Sequence, residues 1–201
     1  MKCFVCHTPM NEQSHPAFEI LSYACATCGL RYQDHGLRGA AEQARYELHH
    51  NEPTEAYVAM FESILTTIEP YIQGSVLDFG SGEFNVLEQL LNQRFDITSY
   101  DLFFHPIPLA TYDTVIAIEV VEHFIDPAKE WARLLALVRP GGHLIVQTRF
   151  VEAPFFDWWY QRDPTHRTFY TVTAFTALAS QAGFEVIFSN NRSIIVMKRG
   201  R

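Results

Sequence analysis

The sequence predicts an α/β protein in which a doubly wound, mostly parallel sheet follows a small cysteine-rich head. Three observations carry that expectation. All four cysteines fall in the first 28 residues, as Cys3-x-x-Cys6 and Cys25-x-x-Cys28. From Ser75 onward, short apolar runs alternate with amphipathic stretches, the pattern of buried strands flanked by helices. The first of those runs ends in Gly80-Ser81-Gly82, a turn that lets a ligand approach the backbone closely.

The head comes first. Two residues between paired thiolates let both sulfurs reach one ion, and two such knuckles complete a tetrahedral zinc site. Cys3, Cys6, Cys25 and Cys28 are therefore expected to hold one structural Zn²⁺ in a ribbon over residues 1–35. Two disulfides are the competing arrangement and would need an oxidising compartment. Four thiolates leave no open coordination position, so His7 and His15 are not required.

Residues 36–72 read as a helical connector. Arg45, Tyr46 and His49 lead into an amphipathic helix through Tyr57, Phe61, Ile64 and Leu65, ended by Pro70 and Gly74. The three lead-in residues either close over a site or sit on an exposed helix turn.

The remainder, 73–201, is expected to form the ligand-binding domain. Val76 to Phe79 is a buried strand, followed by a helix through Val86, Leu87, Leu90 and Leu91. Ile97 to Tyr100 is a second strand, ending in Asp101, and Thr114 to Ile118 a third. Asp126-Pro127 supplies an N-cap and N1 residue for a helix through Trp131, Leu134, Leu135 and Val138, stopped by Pro140-Gly141-Gly142. Leu144 to Gln147 is the next strand, and a helix from Thr173 to Ala182 ends at Gly183. Strands at Glu185 to Phe188 and Ser193 to Met197 lie so close in sequence that an antiparallel edge is expected.

Composition narrows the function. The chain has 201 residues, 48% hydrophobic and 19% charged, which excludes wholesale disorder and suits one core with a small appendage. Fifteen Lys+Arg against 23 Asp+Glu give a net charge of -8, which weighs against a nucleic-acid partner held through its phosphates. No run approaches the roughly 20 apolar residues of a membrane span, and the N-terminus has no apolar signal core. A soluble, cytoplasmic protein is expected.

The glycine turn selects a ligand. A dinucleotide fingerprint wants a third glycine where Asn85 stands, and would set a diphosphate beside Glu83. Asp78 adds further negative charge. An acidic pocket with a glycine floor suits a cation without phosphates, and S-adenosylmethionine carries an ammonium and a sulfonium. Asp101, nineteen residues past Gly82, is placed to accept both ribose hydroxyls. A structural turn capped by two carboxylates is the plainer alternative.

Taken together, Val76-Leu77-Asp78-Phe79-Gly80-Ser81-Gly82, Asp101, Tyr112-Asp113-Thr114-Val115 and Arg139-Pro140-Gly141-Gly142 resemble the successive motifs of class I S-adenosylmethionine-dependent methyltransferases. The resemblance covers about Gln73 to Lys198 and implies a Rossmann-like fold. It implies that Asp78, Gly80 and Gly82 hold the methionine part and Asp101 the ribose, with Glu119 also facing the cofactor. Two departures stand out. Phe84 replaces the third glycine of the family turn, and only eleven residues separate Asp101 from Asp113, so the usual third strand and its helix are shortened or missing. The cysteine head, Arg45-Tyr46 and Asp163-Pro164-Thr165-His166 resemble a bacterial group of zinc-ribbon methyltransferases.

Glu119-Val120-Val121-Glu122-His123 falls at the carboxyl end of the Thr114 strand. Glu122, His123 and His166 are the candidate catalytic residues. The segment resembles the Glu-x-x-Glu-His of metal-dependent small-RNA 2′-O-methyltransferases and ubiquinone-pathway O-methyltransferases. That likeness implies a possible second divalent ion at Glu119, Glu122, His123 and His166; His123 as a metal-free base or substrate contact is the favoured reading. Phe155, Phe156, Trp158, Trp159 and Tyr160 make the stretch from Phe150 to Tyr170 aromatic, either as a substrate lid or as a cap on the core. A methyltransferase of small molecules leads. A non-catalytic zinc-ribbon adaptor and an RNA methyltransferase are the rivals, and oligomeric state is not readable.

Overall fold

A computed structural model describes residues 1–47 and 53–201. The head is an antiparallel ribbon of β1 (Asn11–Ser14), β2 (Leu21–Ala24) and β3 (Arg31–Gln33). Its two cysteine turns are built alike. The residue after each turn, His7 or Gly29, has a positive φ, and its N–H donates to the carbonyl of the first cysteine at 2.9 Å.

Helix α1 (Ala40–Glu47) and helix α2 (Glu55–Ile68) precede the main sheet. Thr54 caps α2 by accepting from Tyr57 N–H, and the apolar face of α2 buries Phe61, Ile64, Leu65 and Ile68. The chain then runs through β4 (Ser75–Phe79), α3 (Val86–Leu91), β5 (Asp96–Tyr100), β6 (Tyr112–Ile118), α4 (Pro127–Ala136) and β7 (Val138–Gln147). After an insertion come β8 (Thr168–Phe169), α5 (Val172–Gln181), β9 (Phe184–Ser189) and β10 (Ile194–Arg199).

Six strands form one sheet in the order β5-β4-β6-β7-β10-β9. The first four are parallel, and β10 runs antiparallel to both β7 and β9, as the closely spaced terminal strands lead one to expect. Alternate residues enter different cores. Val115 and Ala117 pack with Trp131 of α4, Phe175 of α5 and the ribbon cysteines, whereas Ile116 and Ile118 pack with α2 and α3. Strands apolar on both faces follow from this, and so does the run Val115-Ile116-Ala117 with no exposed surface. Strand β5 is the outer strand on its side, so the third strand of the related fold is absent among the described residues.

Two expectations need correction. Val138 belongs to β7 rather than to the preceding helix, which ends at Ala136, and Pro140-Gly141-Gly142 lies within β7 rather than before it. Val138 pairs with Tyr112 and His143 with Thr114, so Arg139 to Gly142 bulge around Asp113. A Cβ on Gly142 would lie 2.6 Å from the Asp113 carbonyl oxygen, which explains the glycine. The ribbon also extends beyond residues 1–35: β8 pairs with β3, Phe169 opposite Arg31 and Thr168 opposite Tyr32. No helix among the described residues is long and apolar enough to cross a membrane.

Candidate active site

A cavity of about 870 Å³ opens at the carboxyl ends of β4, β5, β6 and β7, where ligands bind in sheets of this kind. One side is the glycine turn. Gly80 and Ser81 N–H both donate to Tyr100 O, at 2.7 and 3.0 Å, closing the turn over the end of β5. Gly80 has φ 82° and any Cβ there would run into the Val120 side chain. Gly82 has φ 66°, but nothing lies within 4 Å of its Cβ position. The backbone there is open to a ligand.

Asp101 lines this side and braces it. Its Oδ2 accepts from Gly82 N–H at 3.1 Å, and its Oδ1 accepts from Phe103 and Phe104 N–H at 2.8 and 3.1 Å. Asp78 is buried beneath the turn and is not part of the cavity wall. Burial, reinforced by the Glu88 and Asp101 carboxylates, pushes its pKa up to about 8. Tyr57, in the cavity wall, is pushed up to about 12 by burial and by the Asp78 and Glu119 carboxylates.

The second side carries Glu119, His123, Gln147, Tyr160 and His166. Glu119 sits just past β6 with φ 53°, a conformation that costs a residue with a Cβ about 1 kcal/mol or more. Two bonds hold it there: Gln147 Nε2 donates to Oε1 at 2.8 Å and the Tyr160 hydroxyl to Oε2 at 2.6 Å. The same hydroxyl lies in hydrogen-bond contact with Glu122 Oε1 and 3.2 Å from Thr148 Oγ1. One hydroxyl proton cannot serve two carboxylates. Burial, followed by the charge of Glu119, holds Glu122 well above the carboxylate range. A Glu122 proton given to the Tyr160 oxygen leaves the Tyr160 proton for Glu119 Oε2. Glu122 has no exposed surface, is absent from the cavity wall, and its Oε2 has no hydrogen-bond partner.

The two histidines meet. Their ring centroids are 4.7 Å apart in an edge-on arrangement. His123 Nδ1 lies 3.3 Å from Thr165 O, and His166 Nδ1 lies 2.7 Å from Tyr160 O. A carbonyl only accepts, so both Nδ1 atoms carry hydrogen and the neutral rings present Nε2 as the basic atom. One ligand atom each from Glu122, His123 and His166 can lie within 4.8 Å of the others. Glu119 is not in that set.

The aromatic insertion is mainly a cap. Phe155, Trp158, Tyr160 and Phe169 bury one another in a small core of their own, while Tyr160, Trp159 and His166 reach the cavity. Arg167 fastens the cap to α1 and its approach. With no exposed surface, it donates to Asp34 Oδ1 at 2.8 Å, Leu37 O at 2.5 Å and Glu42 Oε1 at 3.2 Å. Arg45 adds an ion pair to Asp163 at 3.2 Å. Of the other lead-in residues, His49 lies outside the described residues and nothing is described of the Tyr46 side chain.

In the head, Sγ of Cys6 lies 3.3 Å from that of Cys25 and 3.8 Å from that of Cys28, while Cys3 and Cys28 are 3.6 Å apart. All four thiols are free of disulfides. The second knuckle sits on the start of α5, where Thr171 Oγ1 donates to Cys28 O at 2.5 Å.

A family model described as a methyltransferase domain matches residues 34–188. The chain belongs to this methyltransferase family. A Mycolicibacterium smegmatis protein described as a probable S-adenosylmethionine-dependent methyltransferase is 34% identical over 95 residues, 46% of this chain and 36% of that relative. The chain thus spans about a third of the length of that curated relative. Among solved structures, Burkholderia thailandensis 1,6-didemethyltoxoflavin-N1-methyltransferase, with bound 1,6-didemethyltoxoflavin and S-adenosylhomocysteine, superposes with a TM-score of 0.58 at 16% identity. It covers 95% of this chain and 100% of that one. Human N-acetylserotonin methyltransferase, in complex with S-adenosylmethionine, gives 0.56 at 18% identity over 80% of this chain and 57% of its own. These likenesses establish the class I methyltransferase fold, and the six-stranded sheet of this methyltransferase-family chain agrees with it.

Sequence reasoning missed several residues of the site. Tyr160 reads as one more ring of the aromatic stretch, although a hydroxyl distinguishes it from Phe155 and Phe156. Gln147 and Arg149 mark the end of a strand in this fold class and could have been found by position alone. The sequence marks Arg167 only as a polar handle of the aromatic stretch, with Arg162 and His166; its partners, more than 120 residues away, make it a buried strap instead.

Proposed function

We propose that the protein is an S-adenosylmethionine-dependent methyltransferase acting at O, N or C of a small molecule, with a structural Zn²⁺ in its ribbon. One observation carries the reading: a single cavity joins an open glycine turn and the Asp101 carboxylate to a cluster of Glu119, Tyr160, His123 and His166. The open space over Gly82 and the acidic floor fit the methyl donor, which when bound supplies a methyl group on a sulfonium. In this reading Asp101 receives the ribose, the Gly80–Gly82 backbone receives the methionine part with Asp78 acting from beneath the turn, and Glu119 faces it from across the cavity. His123 takes the acceptor's proton at Nε2, and His166 packs against it to orient the ring. Glu122 acts from behind the wall, positioning Tyr160 and through it Glu119.

The cysteine set fits zinc. A Zn–S bond of about 2.3 Å puts tetrahedral sulfurs about 3.8 Å apart; three of the pairs lie 3.3–3.8 Å apart, and all four sulfurs lie within 4.8 Å of one another. Four reduced thiols are also in keeping with a cytoplasmic setting. A second divalent ion at Glu122, His123 and His166 is the competing reading, favoured by the approach of their ligand atoms within 4.8 Å. The adaptor reading gains nothing from an open glycine turn. The RNA reading is disfavoured by the net charge of -8.

The test is transfer of labelled methyl from S-adenosylmethionine into fractions of a small-molecule extract, with total RNA as a parallel acceptor. Label in the small-molecule fraction supports the reading, label in RNA moves it to the rival, and label in neither supports the adaptor. A mild chelator that spares the cysteine site then separates the two histidine roles. Activity that survives supports the base; activity lost and restored by Mg²⁺ or Zn²⁺ supports the second ion.

A further inference from the structure

Resting on the methyltransferase reading, we propose that the methyl acceptor is an aryl carboxylate whose ring stacks on Trp159 and whose carboxylate pairs with Arg149. Arg149 lies two residues past the end of β7, and both side chains line the cavity. Its guanidinium carbon stands 5.2 Å from the centroid of the Trp159 ring.

The charge arrangement is what needs an anion. Among the described residues the cavity wall carries two guanidinium groups, Arg133 and Arg149, and no lysine. Arg133 is already engaged, donating to Tyr100 Oη at 3.1 Å and lying over that ring. Arg149 differs. No carboxylate of the described residues comes within ion-pair distance of it, although the chain carries a net charge of -8. A guanidinium offers a planar fork that matches a carboxylate with two parallel hydrogen bonds.

Trp159 supplies the other half. It is 61% exposed, whereas its neighbours Trp158 and Tyr160 are buried. The cap therefore has its own core without Trp159 and leaves one indole face at the cavity. Such a face offers a planar ligand stacking area at little entropic cost.

Position links this anchor to the chemistry. Trp159 contacts Tyr160 with ring centroids 5.5 Å apart, and Tyr160 contacts His166 at 4.1 Å. Arg149 thus stands on the histidine side of the cavity, while the glycine turn and Asp101 lie past β6 on the other. A carboxylate on Arg149 anchors one edge of a ring and leaves another edge facing the imidazoles.

The experiment is calorimetry on the zinc-loaded full chain saturated with S-adenosylhomocysteine. The titrants are 3-hydroxybenzoate, 6-hydroxy-2-naphthoate and the methyl ester of each. The proposal expects the acids to bind and each ester to bind at least about tenfold more weakly. Arg149→Gln should weaken the acids by roughly ten- to hundredfold, the scale of a charged hydrogen-bonded pair, and abolish the preference over esters. Arg149→Lys should give an intermediate loss, and Trp159→Leu should weaken acid and ester alike. Affinity for S-adenosylhomocysteine should stay unchanged in all three variants. Equal binding of acid and ester, no binding of either acid, or acid binding indifferent to Arg149→Gln would overturn the proposal while leaving the methyltransferase reading intact. Failure of the wild type to bind S-adenosylhomocysteine would overturn that reading, and the proposal with it.

Discussion

Asp78→Asn removes one ionisable proton from beneath the glycine turn while keeping the shape of the side chain. In the folded protein Asp78 titrates at about 8 because it is buried and faces two other carboxylates. In the unfolded chain an aspartate titrates near 3.9. Between those values the folded state holds a proton that the unfolded state has released, so stability falls as pH rises and levels off above about 8. The slope is about 1.4 kcal/mol per pH unit, or about 3 kcal/mol between roughly pH 5 and pH 7. Asparagine has no such slope. Urea denaturation of both proteins at several pH values in that range is the assay. The stability of the variant relative to wild type should climb by about 3 kcal/mol from the acid to the neutral end. Glu122, displaced in the same direction, is common to both proteins and drops out of the difference. A difference that stays constant with pH refutes the reasoning. The same proton has a functional consequence: an ammonium arriving over Asp78 favours the carboxylate, so donor affinity should rise between about pH 6 and pH 8 and weaken in the asparagine variant.

Three further outcomes are expected. Elemental analysis of protein purified without added metal should give about one zinc per chain, and Cys25→Ser should lose it together with the ribbon; a value near zero with free thiols contradicts the assignment. Tyr160→Phe deletes the hydroxyl that joins Glu119 to Glu122 and should lower stability by about 1–3 kcal/mol in thermal melts, with a larger fractional loss of methyl transfer than of donor affinity. Arg167→Leu leaves the buried Glu42 without its counter-ion and should destabilise the fold by about 3–5 kcal/mol; a melting temperature equal to that of wild type contradicts the strap between α1 and the cap.

Much of this protein is legible in its sequence because the signals are local. Most strands of the main sheet contain a short apolar run, and the Asp126-Pro127 start of α4 and the Gly183 end of α5 are read from single residues. The cysteine turns are equally local, since the spacing within each pair dictates the turn. The glycines before β7's apolar stretch misled because Pro-Gly-Gly signals a break, whereas here it forms a bulge within a strand. What stayed hidden depends on long-range contact. The pairing of β3 with β8 and the burial of Arg167 each join segments more than 120 residues apart, whereas the meeting of His123 with His166 is reachable only through the family resemblance. Amphipathic periodicity carries no information about such partners. The same holds for Asp78, whose motif resemblance implied a direct ligand contact but whose side chain lies behind the cavity wall.

The central claim is that the cavity above the glycine turn receives a methyl donor. Calorimetric titration of the zinc-loaded protein with S-adenosylmethionine tests it most directly, with Asp101→Ala alongside. The account predicts saturable binding at one site per chain, weakened roughly ten- to hundredfold in the variant through loss of charged hydrogen bonds. No heat of binding in the wild type, or equal affinity in both proteins, would contradict it.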